Sequence, residues 1–221
     1  MPSTIDVECF FDCSSPWTYL GFVNVLSSPV LQRHARLIWR PILVGGVFNA
    51  VNGSVYENRA NPVPAKQAYY QKDLADWARL AGVAIGQPPV FPVNSVRVMR
   101  GAFLALAEGC LESYALAAFR QYWGELADIS QPDVIDRIVA AAGMDRGTFW
   151  DNVESPPYKD MLRTHTDALI ARGGFGSPTF FAGPFAADPT NPGEAANPDR
   201  EMFFGNDRIP LLEARVRELV S

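Results

Sequence analysis

Asp12-Cys13-Ser14-Ser15-Pro16-Trp17-Thr18-Tyr19-Leu20 is the stretch on which the fold turns. It follows Ile5 to Phe11, a mostly apolar, β-prone run that reads as a buried strand. Ser15-Pro16 then marks a helix N-terminus. A serine there accepts a bond from a free backbone amide, and a proline at the first helical position presets φ, together about 0.5–2 kcal/mol. Trp17, Tyr19, Leu20 and Val23 continue the helix to near Ser27, and Leu37 to Trp39 forms a second short strand stopped by Arg40-Pro41. The result is a β-α-β unit of about 40 residues, the length such a crossover needs.

Outward from this unit, Gly45-Gly46 and Asn52-Gly53 predict a loop region that continues to Pro62 and Pro64. Helical periodicity follows. Tyr70, Leu74, Trp77, Ala78 and Ala81 share one face, and Gly82 ends the run. Val96 to Cys110 repeats the pattern, and Ala115, Phe119, Tyr122, Trp123 and Leu126 predict a third helix. Ser130 with Asp133 reads as a capping-box variant before the stripe Val134, Ile135, Ile138, Val139 and Ala142. Tyr158 to Arg172 suggests a further helix, broken by Gly173-Gly174. Pro178 to Ala182 and Met202 to Phe204 are short strands. The connection between them, Gly183 to Arg200, is long for a hairpin and is expected to cover a site or a dimer face. Asn206-Asp207 starts a final helix with Leu211, Leu212, Val216 and Leu219.

Composition narrows the function classes. The chain has 221 residues and a net charge of −5, with 48% apolar and 12% aromatic residues, so it has ample core material and little disorder. An acidic balance argues against a nucleic-acid partner, which would require a basic face. Two histidines and three cysteines leave little room for a multi-histidine metal site or a disulfide scaffold. His34 and His165 suggest no triad; a surface and a packed-helix role are expected for them. The first residues have no positive n-region and no apolar run, so no signal peptide is expected, and no apolar stretch is long enough for a membrane span. Cytoplasm is the default compartment.

Two further motifs carry possible chemistry. Gly176-Ser177-Pro178-Thr179-Phe180-Phe181 places a proline at the start of a strand, at an edge or as a cis bond. A cis bond would leave the Ser177 backbone free to pair with an extended peptide. Phe203-Phe204-Gly205-Asn206-Asp207-Arg208 reads as strand, turn and cap, and the same cap could hold a ligand's charged end. Ser15 has a parallel double reading. It is a structural cap, or a hydroxyl at a helix N-terminus that stabilises an anion such as a thiolate.

These motifs in this order, with Arg40 to Phe48, Pro64 to Tyr69 and Phe91-Pro92-Val93-Asn94-Ser95 through Arg100, resemble one family across nearly the whole chain. It is the DsbA-like thioredoxin branch that contains 2-hydroxychromene-2-carboxylate isomerases and kappa-class glutathione transferases. The Phe91 to Ser95 stretch leans toward the isomerases. The resemblance implies an α/β, thioredoxin-like fold interrupted by an all-α helical insertion. Residues 1–62 and 159–221 would form the thioredoxin-like domain and 63–158 the insertion.

Disulfide oxidoreductases of this fold carry a Cys-x-x-Cys where this chain reads Ser15-Pro16-Trp17-Thr18, so the usual dithiol chemistry has no thiol here. The resemblance implies that glutathione supplies the sulfur and that Ser15 donates a hydrogen bond to its thiolate. Ser177 and Pro178 would present backbone to the peptide, and Asn206, Asp207 and Arg208 would hold the γ-glutamyl end. Asn52 and Lys66 match positions that contact glutathione or substrate; their plain readings are a turn residue and a solvated side chain. Trp17 either walls the site of a small aromatic substrate or packs in the core. The expected activity is a glutathione-dependent isomerase, with a kappa-type transferase and a non-catalytic binding module as alternatives, and relatives suggest a homodimer. Cys13 departs from the pattern and reads as a buried thiol, or as a redox partner of Cys9. Ser177 also departs from it, standing where an apolar residue is usual.

Overall fold

The structure, a computed structural model, describes residues 5–183 and 200–221. Ile5–Phe11 forms strand β1, which is buried along its whole length because it lies inside the sheet. Ala35–Pro41 forms β2, parallel to β1, and Thr179–Gly183 forms β3, antiparallel to it. Glu201–Phe204 forms β4, antiparallel to β3, so the sheet order is β2-β1-β3-β4. The parallel crossover runs through α1 (Pro16–Ser27) and α2 (Pro29–His34).

Strand alternation sorts the side chains of β1. Val7, Cys9 and Phe11 enter the larger core, whereas Phe10 joins Ile42, Val47, Leu169 and Phe181 in a smaller one. Asp6 and Glu8 are fully buried, which a mostly apolar reading of the strand does not anticipate. Arg36 and Arg200 engage Asp6, at 2.7 and 3.1 Å, and Arg40, Arg172 and Arg200 engage Glu8 at 3.0, 2.9 and 2.9 Å. Buried carboxylates persist when they are paired in this way.

The region expected to be a loop after β2 is largely helical: α3 (Val44–Val51) and α4 (Ser54–Ala60). Val44 and Val47 bury one face of α3, and a Cβ added at Gly46 would meet the Thr166 methyl at 3.3 Å, so the glycine permits close packing. Two further helices are additions to the sequence reading. Ser28-Pro29 starts α2 with the same cap chemistry as Ser15-Pro16, Ser28 Oγ accepting from the Leu31 amide at 3.1 Å. Asp145 caps α9 (Arg146–Val153).

The other helices between β2 and β3 are α5 (Pro64–Ala81), α6 (Val96–Ala107), α7 (Leu111–Phe119), α8 (Pro132–Ala141) and α10 (Pro156–Ala171). The helix expected to run to Leu126 instead ends at Phe119, passes into a π turn at Arg120–Gly124, and stops before Leu126, whose φ is +58°. No capping box forms at Ser130. Its amide and hydroxyl bond Asp128 Oδ1, and Gln131-Pro132 starts α8. The last helix, α11 (Ile209–Val220), follows a 3-10 turn at Asn206–Arg208. Among the described residues, no helix is long and apolar enough to cross a membrane. The covering role expected of the Gly183–Arg200 connection concerns residues 184–199, which lie outside the described residues.

Candidate functional site

Ser15 is the N-cap of α1. Its backbone is extended (φ −109°, ψ 126°) and its Oγ accepts from the Thr18 amide at 3.2 Å. The same hydroxyl faces the Ser177 carbonyl at 3.4 Å, beyond the usual length of an O–H···O bond, so its proton is weakly held there. Ser15 is half-buried and sits where the helix dipole is positive. The Ser177–Pro178 peptide bond is cis, and Gly21 of α1 packs so tightly on the proline that an added Cβ would lie 2.8 Å from its Cγ. Thr18 Oγ1 and Ser177 Oγ are 2.7 Å apart, and Ser177 Oγ reaches the Phe10 carbonyl at 3.5 Å. The serine that replaces an apolar residue before the proline is thus matched by a buried threonine beneath it.

Asp12 anchors the loop below Ser15. It is fully buried, and its carboxylate accepts from the amides of Ser14 (2.9 Å) and Val44 (2.8 Å) and the hydroxyl of Ser95 (3.2 Å). Burial holds its pKa above the ordinary carboxylate value, and these bonds offset only part of that rise. Val44 is the first residue of α3, whose own N-cap, Leu43, has no side-chain bond to offer, so Asp12 supplies the anion that the helix start lacks.

Cys13 is buried, as a structural thiol would be, and burial pushes its pKa well up. Cys9, Cys13 and Cys110 are all free, so the redox pair with Cys9 does not form. His165 is buried, with burial as the main cause holding its pKa down to about 3, and it is a packing residue against Phe103. His34 is half-buried at the end of α2 rather than fully on the surface.

The remaining expected site residues divide. Asn206 is buried, accepts from Asn24 Nδ2 at 2.7 Å, and has an Nδ2 with no hydrogen-bond partner. Asp207 and Arg208 are exposed and pair with each other. Asn52, at the end of α3, donates to the Phe175 carbonyl at 3.0 Å, two residues before Ser177. Lys66 is exposed in the first turn of α5, one turn ahead of Tyr70 and on the same side of the helix. Trp17 is half-buried and meets Tyr70 edge-on at 5.7 Å, so it lies against the insertion rather than in the core.

One side chain that the sequence reading passed over is Arg59. Its guanidinium lies 5.8 Å from the Phe48 ring centroid and 5.0 Å from that of Phe91. It also acts electrostatically on the Tyr70 hydroxyl, whose pKa burial raises. Phe48 borders Gly176, and Phe175 and Phe204 pack against each other at 4.4 Å nearby. Arg59 thus joins Phe91 to Phe48, and Phe48 and Phe204 both border Gly176, the residue before Ser177. Nothing in the spacing of Asn58-Arg59-Ala60 signals this; the arginine is brought in by a helix in a region that reads as loop. Among the described residues, no group of three or more His, Cys, Asp and Glu is placed to hold a metal ion.

The sheet order, the helical insertion and a cis-proline facing a helix N-terminus define a thioredoxin fold of the inserted kind. The family model for the DSBA-like thioredoxin domain matches residues 6–217, and the chain belongs to that family. Among its relatives, 2-hydroxychromene-2-carboxylate isomerase of Pseudomonas putida is 29% identical over 216 residues, covering 96% of this chain and 95% of the relative. Glutathione S-transferase kappa 1 of Homo sapiens is 25% identical over 220 residues, covering 93% and 88%. A solved structure of 2-hydroxychromene-2-carboxylate isomerase superimposes with a TM-score of 0.75 at 25% identity, covering 97% of this chain and 95% of that one.

Proposed function

We propose that this chain is a glutathione-dependent isomerase that interconverts 2-hydroxychromene-2-carboxylate and trans-o-hydroxybenzylidenepyruvate, or a related intermediate of aromatic degradation. The observation that carries the reading is the Ser15 hydroxyl, at a helix N-terminus, across from Ser177 and with no thiol at position 15 or 18. The similarity to proteins named as that isomerase supports it. The residues also fit glutathione: Asn206 keeps a buried amide N–H with no partner, beside the exposed Asp207 carboxylate.

When bound, glutathione supplies a thiolate that adds reversibly to the substrate's conjugated double bond, making that bond rotatable until the thiolate leaves again. In this reading Ser15 turns its proton from the Ser177 carbonyl toward the sulfur, and the α1 dipole adds its partial positive charge. Both favour the thiolate and lower the thiol pKa. The Ser177 backbone, released from Ser15, pairs with the peptide, while Asp207 exchanges Arg208 for the ligand's ammonium group. Arg59 and Lys66 are the cations for the substrate carboxylate and for negative charge developing on its ketone oxygen. Trp17, Tyr70, Phe48 and Phe91 form the wall for the aromatic ring.

In this proposal the chain divides into a thioredoxin-like unit (1–62 and 159–221) and an insertion (63–158), and it works as a cytoplasmic homodimer. A kappa-type transferase is the second reading, favoured by the similarity to kappa transferases. One assay separates the two: the benzylidenepyruvate is incubated with enzyme and catalytic amounts of glutathione. Isomerisation without loss of free thiol supports the proposal. Stoichiometric loss of thiol supports the transferase, and no glutathione dependence overturns both.

A further inference from the structure

The π turn at Arg120–Gly124 joins the two halves of the site. It places consecutive residues, Tyr122 and Trp123, both in the interior, with their rings 4.6 Å apart. Each makes a polar contact with a different segment. The Trp123 indole N–H donates to the Cys13 carbonyl at 3.0 Å, in the loop that carries Ser14 and Ser15. The Tyr122 hydroxyl donates to the Val90 carbonyl at 2.9 Å, tying down the residue immediately before Phe91-Pro92. The Phe91 ring meets Trp123 edge-on at 6.0 Å and lies 5.0 Å from the Arg59 guanidinium.

The turn is itself held. The Gly86 amide donates to the Trp123 carbonyl at 2.8 Å. Leu126, in a left-handed conformation costly for a branched side chain, packs where a Cβ on Gly86 would lie 2.8 Å from its Cδ2. π turns inside helices recur at functional sites, and here the local cost has an evident use.

We infer that Trp123 and Tyr122 are positioning residues with separate tasks: Trp123 fixes the loop that presents Ser15 to the thiol, and Tyr122 fixes the Phe91 wall that holds Arg59 for the acceptor substrate. The inference rests on the proposed function for the names of the two ligands, but not for the two contacts. It also assigns Cys13 a use through its backbone carbonyl rather than its sulfur.

The test compares Trp123→Phe with Tyr122→Phe, each of which keeps a ring and removes one donor. Trp123→Phe should raise the glutathione Kd about tenfold, the scale of one buried hydrogen bond, and raise the acceptor KM far less, because a smaller ring still backs Phe91. Tyr122→Phe should raise the acceptor KM by a similar factor and leave the glutathione Kd unchanged. Equal changes in both constants for both variants would overturn the assignment, because a purely structural role predicts no split. If Trp123→Phe does not fold, a tryptophan isostere with sulfur in place of the ring N–H at position 123 removes only the donor. If the wild type binds no glutathione, the proposed function fails, and hydrogen exchange still decides the inference. Faster exchange confined to residues 12–18 in the Trp123 variant and to 90–96 in the Tyr122 variant supports it; loosening of both segments in each variant contradicts it.

Discussion

Thr18 Oγ1 and Ser177 Oγ stand 2.7 Å apart in the interior, joining the first turn of α1 to the residue before the cis-proline. Thr18 is 1% exposed and Ser177 8%, so neither hydroxyl has water as an alternative partner. Ser177→Ala strands the Thr18 hydroxyl and Thr18→Val leaves the Ser177 hydroxyl only its 3.5 Å contact to the Phe10 carbonyl, so each variant should lose about 1–3 kcal/mol. The double variant should lose less than the sum of the two. Urea unfolding of the four proteins forms the cycle that checks this. Additive losses would show that the pair does not couple.

Gly21 sets how closely α1 approaches β3. A Cβ there would lie 2.8 Å from Pro178 Cγ and 3.4 Å from Phe180 Cζ. Gly21→Ala should destabilise by about 1–3 kcal/mol through overpacking, despite the better helix propensity of alanine. Because the clash falls on Pro178, turnover should drop with stability. Thermal unfolding and steady-state rates on the same preparation check both effects.

Asp12 ties the loop before α1 to α3 and to Ser95 ahead of α6. Asp12→Ala leaves three donors without this acceptor, two of them buried, and should lower stability by several kcal/mol, on the scale of about 1–3 per unsatisfied buried group. A variant as stable as wild type in urea would contradict this role.

Stability should fall in mild acid through His165. Its pKa is about 6.5 in an unfolded chain and about 3 here, chiefly from burial and secondarily from the Arg40 charge. The unfolded state therefore binds a proton that the folded state refuses. The contribution is intact above pH 6.5 and is lost as pH falls toward 3, at about 1.4 kcal/mol per pH unit. His165→Gln removes the titrating group, so its stability should be less steep between pH 6.5 and 4. Parallel slopes would place the titration elsewhere.

Much of this was legible in the chain because its signals are local. Ser15-Pro16 announces a helix start wherever it occurs, and strands β1 to β4 announce themselves by apolar runs. The misses are non-local. Gly45-Gly46 reads as a break, yet α3 forms because Val44 and Val47 find a core and glycine allows approach to Thr166. Asp6 and Glu8 look unsuited to an inner strand until Arg172 and Arg200, more than 160 residues away in sequence, arrive beside them. Arg59 gave no signal for the same reason, since its partners Phe48 and Phe91 come from two other segments. The cap residues of the candidate site could be read directly; the rings and the arginine around it could not, because Phe48, Arg59, Tyr70 and Phe91 come from separate segments.

In the proposed mechanism the reactive sulfur is borrowed from glutathione, and Ser15 holds it as a thiolate. The most direct measurement is the pKa of enzyme-bound glutathione, followed by ultraviolet thiolate absorption, in wild type and Ser15→Ala. The variant loses an N-cap and should be about 0.5–2 kcal/mol less stable but folded. Wild type should show a bound thiol pKa well below the ordinary thiol value of about 8.5, and the variant should return toward it. A bound thiol with an ordinary pKa in wild type, or the same lowered pKa without the Ser15 hydroxyl, would contradict the claim.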